Sequence, residues 1–184
     1  RMDPHRSMVF VNTKRMAERL EDVLRANGID AQALSGDVPQ KKRLRFLQDF
    51  HDGKLAVLIA TDVASRGLHI PEVSHVFNFD LPGDCADYVH RIGRTARAGA
   101  EGDAISFACE EYAVELPDIE KYIGRKIPFE PISADMLPEI TWPPRRPSPE
   151  GAHRGPRRSG SGGGGQRGGP RRSSGGGGGR GGRR

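Results

Sequence analysis

Between Tyr88 and Gly99 the chain reads YVHRIGRTARAG, which places His90, Arg91, Arg94 and Arg97 within eight residues and leaves no carboxylate between Asp87 and Glu101. Guanidinium groups are planar forks that grip phosphate oxygens two at a time. At spacings of three and four such side chains share one helix face, where like charges repel. A polyanion laid against that face relieves the repulsion, so the spacing predicts a phosphate-binding stripe on a helix. A solvated basic face is the plain alternative, because charged residues mostly stay exposed. The string is more particular than that alternative requires. Gly93 and Gly99 punctuate it, and Thr95 and Ala96 keep its middle small.

The elements that must hold these residues can be read from the apolar runs. Met8 to Asn12 (MVFVN), Leu55 to Ala60 (LAVLIA) and Ser74 to Asp80 (SHVFNFD) suit buried parallel strands. AQALSG, closed by a Gly36-Asp37 turn, and Gly102 to Glu110 complete the strands. Thr13 is placed to cap a helix whose Met16, Ala17, Leu20, Val23 and Leu24 recur at helical spacing up to the stop at Asn27-Gly28. Pro39 stands at a favourable first helical position. On that second helix Leu44, Leu47 and Phe50, with Phe46, are expected on the core face. A helix from about Asp84 carries the basic stripe, and Tyr112 to Ile123 forms a closing helix broken or started by Pro117. Strands alternating with helices give an α/β fold with a parallel sheet and helices on both faces. In such sheets ligands bind at the carboxyl ends of the strands. Polar clusters follow the runs there: Asn12 and Thr13, then Ser35 to Asp37 with Gln40 and Arg43, then Thr61 and Asp62 with Ser65 to Gly67. Each taken singly is also ordinary turn or cap chemistry.

HRIGRTARAG resembles the HRxGRxxR motif in the second RecA-like domain of DEAD-box RNA helicases. FVNTK, SGDVPQKKR, ATDVASRGLHIP and VFNFDLP resemble further motifs of that domain in the same order. The resemblance covers about Ser7 to Gly124 and implies a RecA-like fold. It implies that Arg94 and Arg97 are arginine fingers on the γ-phosphate of ATP and that His90 is the catalytic-site group linking nucleotide to RNA. Arg91, Asp62, Arg66 and Gly67 would belong to the ATP-binding and coupling network. Thr13, Gly36, Gln40, Arg43, Thr61 and Gly67 would hold the RNA backbone. Such groups bind phosphate and sugar and read no base edge, so binding should be largely independent of sequence. Two positions depart from the family: Ala96 replaces a usual glycine, and His69 a usual aspartate. The aspartate is associated with the ATP ribose. Imidazole offers fewer acceptors, which leaves ribose contact and simple packing both open for His69. RGLHIP with HVFNFDLP, CEEYA and EKYIG resembles one proteobacterial branch of the family, which implies docking on an RNase E-type endoribonuclease scaffold in an RNA-degrading assembly.

The 184 residues carry a net charge of +5 that hides an asymmetry. From Pro143 onward there are eleven arginines and one acid, giving +10, while the preceding body is −5. Residues 143–184, rich in Pro, Gly, Ser and Arg, cannot bury enough apolar area to offset ordering entropy and are expected to be disordered. Residues 1–142 form the expected domain, with Trp142 packing on the body near the boundary. Cys85 and Cys109 make no disulfide framework or metal spacing and read as small buried hydrophobes of a reducing, cytoplasmic protein. No apolar run is long enough to cross a membrane. The chain opens RMDPHRS and contains neither GxxxxGK[ST] nor DEAD. A longer protein is therefore expected, whose N-terminal RecA-like domain holds the ATP phosphates and Mg²⁺ against the fingers presented here. On this reading the fragment alone is inactive as an ATPase. The rival reading is a binding module that takes up RNA through its basic tail and docks proteins on its surface. A DNA motor shares HRxGRxxR, but the spelling from Thr61 to Pro71 argues against one.

Overall fold

The computed structural model describes residues 6–68, 70, 73–95 and 102–146. The chain divides into Arg1–Arg146 and Pro147–Arg184, and the second unit lies outside the described residues. In the first, five parallel strands form one sheet: β1 (Ser7–Phe10), β2 (Ala31–Leu34), β3 (Val57–Ala60), β4 (His75–Asn78) and β5 (Asp103–Ser106). Their order is β2-β3-β1-β4-β5. The pairings β1–β3, β1–β4, β2–β3 and β4–β5 are all parallel.

The central strands show why the apolar runs are unbroken. Met8 and Phe10 of β1 join a cluster with Leu58, Ala60 and Phe50, while Val9 and Val11 join Ile59, Ala31 and Ala33. Successive side chains of a strand point to opposite faces, so both faces of β1 and β3 are buried. α1 (Lys14–Ala26) covers one face with Met16, Ala17, Leu20 and Leu24. α2 (Gln40–His51) covers the other with Phe46, Leu47 and Phe50. Thr13 caps α1 by accepting from the Met16 N–H at 3.1 Å. The chain leaves α1 through Gly28 at φ +79°, a conformation that favours glycine.

Three expectations need correction. Leu44 is 58% exposed. At about 100° per residue, position 43 falls beneath Phe50 and position 44 does not. Arg43 therefore turns inward and donates to the Ser35 carbonyl at 3.1 Å. Cys109 is exposed because β5 ends at Ser106 and leaves it in a loop, while Cys85 is partly buried. The basic stripe is not one helix face. α4 (Cys85–Ile92), capped by Asp84, ends at Gly93, and the chain turns there. Thr95 donates to the Val73 carbonyl at 2.7 Å and draws the chain back toward the sheet.

α3 (Asp62–Ser65) is a single turn after β3, and α5 (Leu116–Ile123) follows a 3₁₀ turn at Ala113–Glu115. Leu81, Tyr88 and Ile119 join α4 to α5 in a third cluster. Beyond α5 the chain returns to α1. Thr141 exchanges two hydrogen bonds with the Asn27 side chain. Arg19 donates to the Pro143 carbonyl at 2.7 Å and stands over the Trp142 ring at 5.6 Å, while that tryptophan stays 65% exposed. No helix among the described residues is long and apolar enough to cross a membrane.

Candidate nucleotide and RNA site

The carboxyl ends of β1, β3 and β4 meet at one arginine. Arg91 is 1% exposed. Its Nε donates to Asp62 Oδ1 at 2.8 Å and its Nη2 to Asp62 Oδ2 at 2.6 Å. Nη2 also donates to Asn12 Oδ1 at 2.9 Å, and Nη1 to the Asp80 carbonyl at 2.6 Å. The guanidinium stands 5.2 Å from the centre of the Phe10 ring. One side chain of α4 thus fastens the ends of β1 and β4 and the start of α3. A buried cation is tolerated only when paired and hydrogen-bonded, and both conditions are met. Burial raises the Asp80 carboxyl above the usual range, while the Asn12 N–H and the Arg91 charge pull it back down.

Above this anchor lies a cleft of about 310 Å³. It gathers six of the predicted residues: Asp62, Arg66, Gly67, His90, Arg91 and Arg94. Arg94 is half-buried in the turn that ends α4, where its N–H donates to the Arg91 carbonyl at 3.1 Å. Arg66 pairs with Asp87 at 3.1 Å, and His90 Nδ1 lies 3.8 Å from the same carboxylate. Gly67 has φ +75° and open space where a side chain would stand, which leaves its backbone accessible. A cleft that presents arginine and histidine with a bare glycine backbone suits an anionic, phosphate-bearing ligand. It does not suit a metal. Both of its carboxylates are engaged by arginine, and among the described residues no group of three or more His, Cys, Asp or Glu could hold a metal ion. Arg97 and His69 lie outside the described residues.

Comparison with known proteins gives the family of the chain. The family model described as helicase conserved C-terminal domain matches residues 1–99. In the crystal structure of the Escherichia coli DEAD-box protein SrmB bound to regulator of ribonuclease activity A, the matching region has a TM-score of 0.70 at 40% identity, over 78% of this chain and 84% of that one. The chain belongs to the helicase C-terminal domain family, in its DEAD-box branch. It is 56% identical over 158 residues to the ATP-dependent RNA helicase RhlB of Cronobacter sakazakii, covering 86% of this chain and 38% of that protein. Against RhlB of Xanthomonas axonopodis pv. citri the identity is 58% over 147 residues, covering 80% of this chain and 26% of the relative. The chain therefore spans less than half the length of these relatives. The five-stranded parallel sheet is the RecA-like fold of DEAD-box C-terminal domains.

Five further predicted residues of this DEAD-box domain, Thr13, Gly36, Gln40, Arg43 and Thr61, lie on the same sheet edge, outside the cleft. Gly36 and Gln40 are exposed after β2, and Arg43 is half-buried beside them. The hydroxyls of Thr13 and Thr61 both act as caps, Thr61 accepting from the Ala64 N–H at 3.3 Å. Lys14 pairs with Asp37 and ties the start of α1 to the turn after β2. Sequence reasoning passed over Phe10 and Asp80. Phe10 reads as one more apolar strand residue. Asp80 reads as the end of a strand, and nothing local signals that its carbonyl meets Arg91.

Proposed function

We propose that this domain is the C-terminal half of an ATP-dependent RNA helicase that couples ATP hydrolysis to local unwinding of RNA duplexes, in the cytoplasm and as part of RNA degradation. The observation that carries the reading is the cleft lined by Arg94, Arg66, His90 and Gly67 beside the paired Arg91 and Asp62. The likeness to the RhlB ATP-dependent RNA helicases supports it. ATP would supply the phosphoryl group to be transferred, and the residues suited to hold its phosphates here are Arg94 and Arg66 with the Gly67 backbone. Arg94, with Arg97, acts as a finger that stabilises charge developing on that group. Arg91 and Asp62 hold α4 and α3 in fixed register, so that Arg94 is presented from a rigid base. His90, Asp87 and Arg66 couple this cleft to the RNA edge formed by Thr13, Gly36, Gln40, Arg43, Thr61 and Gly67. His69 serves the ATP side of the network. Mg²⁺ and the phosphate cradle fall to an N-terminal RecA-like domain of the same protein. An RNase E-type endoribonuclease is the proposed scaffold.

Joining this domain to a matching N-terminal helicase domain should give RNA-stimulated ATP hydrolysis that the 184-residue chain lacks. Arg94→Ala should lower that rate by roughly 10³- to 10⁵-fold. Undiminished turnover in an Arg94→Ala, Arg97→Ala protein would overturn the assignment. A second contribution is favoured by the eleven arginines after Pro143. They bind RNA non-specifically, with a log–log salt slope as steep as about −7. Unchanged RNA affinity after deletion beyond Trp142 would exclude it.

A further inference from the structure

Arg91 is held by more than its carboxylate. Guanidinium has five N–H donors, and here four hydrogen bonds leave it, two to Asp62, one to the Asp80 carbonyl and one to Asn12 Oδ1. The Asp62 contacts alone would let the group hinge with α3. The other two fix its plane from the β1 and β4 side. Asn12 in turn is fixed at three points. Its backbone N–H donates to Asp80 Oδ2 at 2.8 Å, and its Nδ2 donates to the Leu81 carbonyl at 2.8 Å. That side-chain donation sets the amide orientation, so the oxygen faces Arg91 at 2.9 Å.

We propose that Asn12 is a positioning residue that fixes the Arg91 guanidinium beneath the cleft. The consequence for catalysis rests on the reading of the cleft as the ATP-facing site. The Arg94 N–H donates to the Arg91 carbonyl, so the root of Arg94 moves with Arg91. An aspartate would not replace Asn12. It could accept from Arg91, but it has no donor for the Leu81 carbonyl, and it adds a third carboxylate beside Asp62 and Asp80.

Two measurements test this. In the 184-residue chain, the Arg91 Nε–H should give a slowly exchanging nitrogen–proton resonance. Asn12→Ala leaves its Asp62 acceptor in place but frees the guanidinium plane, and should measurably weaken that protection. In the chain joined to a matching N-terminal helicase domain, Asn12→Ala should lower kcat for RNA-stimulated hydrolysis by about 10²-fold, the scale of a displacement near 1 Å, with KM for ATP unchanged. Unaltered Arg91 protection in a folded Asn12→Ala chain overturns the proposal, as does a change confined to KM. Should Asn12→Ala fail to fold, Asn12→Asp decides, because it keeps the size of the side chain and removes the donor to the Leu81 carbonyl. Wild-type protection and wild-type kcat in that variant would overturn it. If hydrolysis instead survives Arg94→Ala, the ATP-facing reading fails, whereas the exchange measurement still reports on Asn12 alone.

Discussion

Two arginine–carboxylate pairs in this domain share a geometry and differ in surroundings. At the sheet edge Arg91 meets Asp62 through Nε and Nη2 at 2.8 and 2.6 Å. On the flank of α1, Arg146 meets Asp22 through the same two nitrogens at 2.8 and 2.5 Å. The Arg91 side chain is 1% exposed and that of Arg146 51%. Distance therefore says little about what each pair does. The buried guanidinium gives up its hydration and takes further partners on Asn12 and Asp80, so it holds three elements in one arrangement. The exposed one keeps most of its water and shares its charge between Asp22 and Glu21. It tethers a strap, the 141–146 segment that returns to α1, and specifies little.

The largest expected effect breaks the buried member. Asp62→Ala leaves Arg91 charged, buried and short of its main acceptor, and should cost about 3 to 5 kcal/mol of folding stability. Urea unfolding of the 184-residue chain measures this, and added salt should change the loss little because the pair is shielded from solvent. Replacing both partners with apolar residues, Asp62→Leu with Arg91→Met, should recover part of the stability because no unpaired charge remains. RNA-stimulated hydrolysis in the joined protein should stay lost. Recovery of both together would mean that the pair only stabilises the fold.

The contrast also marks where sequence is informative. The parallel sheet was legible because strands buried on both faces, such as β1 and β3, leave unbroken apolar runs. The site was legible as a neighbourhood, because residues that follow parallel strands collect at one edge. Asp62, Arg66, Gly67, His90, Arg91 and Arg94 do meet there. The individual fates of the arginines were not legible. Helical spacing treats Arg91 and Arg94 alike, and what separates them is the end of α4 at Gly93 together with a carboxylate 29 residues away in sequence. The Asn12–Asp80 contact spans 68 residues and leaves no local pattern. The strap was hidden for a related reason: PPRR reads as linker composition, and only the acids at Glu21 and Asp22 on α1 give Arg146 a seat.

A smaller effect sharpens the exposed member. Arg146→Ala should cost less than about 1 kcal/mol, as exposed pairs do, and the loss should shrink in high salt. A loss comparable with that of Asp62→Ala would mean that the strap does more for the fold than its exposure implies. The Asn27–Thr141 hydrogen bonds and the Arg19–Trp142 contact would still hold the segment on α1, so the variant should change the strap's protection from proteolysis only near Arg146.

The smallest effect concerns pH, and it separates two carboxylates placed in opposite ways. Burial raises Asp80, whereas the Lys126 ammonium, donating at 2.5 Å, and the Ile127 N–H hold Glu120 below the usual range. For Asp80 the folded chain keeps its proton longer than the unfolded chain. Its contribution therefore falls as pH rises from the ordinary carboxylate range through the raised folded value. For Glu120 the sign reverses: its contribution is present above the ordinary glutamate range and is lost as pH falls through the lowered folded value. Urea midpoints across about pH 3 to 7 resolve the two. Glu120→Gln should lower stability at neutral pH and make the acid-side decline shallower. Asp80→Asn should remove the fall on the rising side, while its amide oxygen can still accept from the Asn12 N–H. If both variants moved the profile in the same direction, burial could not be what sets Asp80, and the Arg91 charge would have to dominate the sheet edge instead.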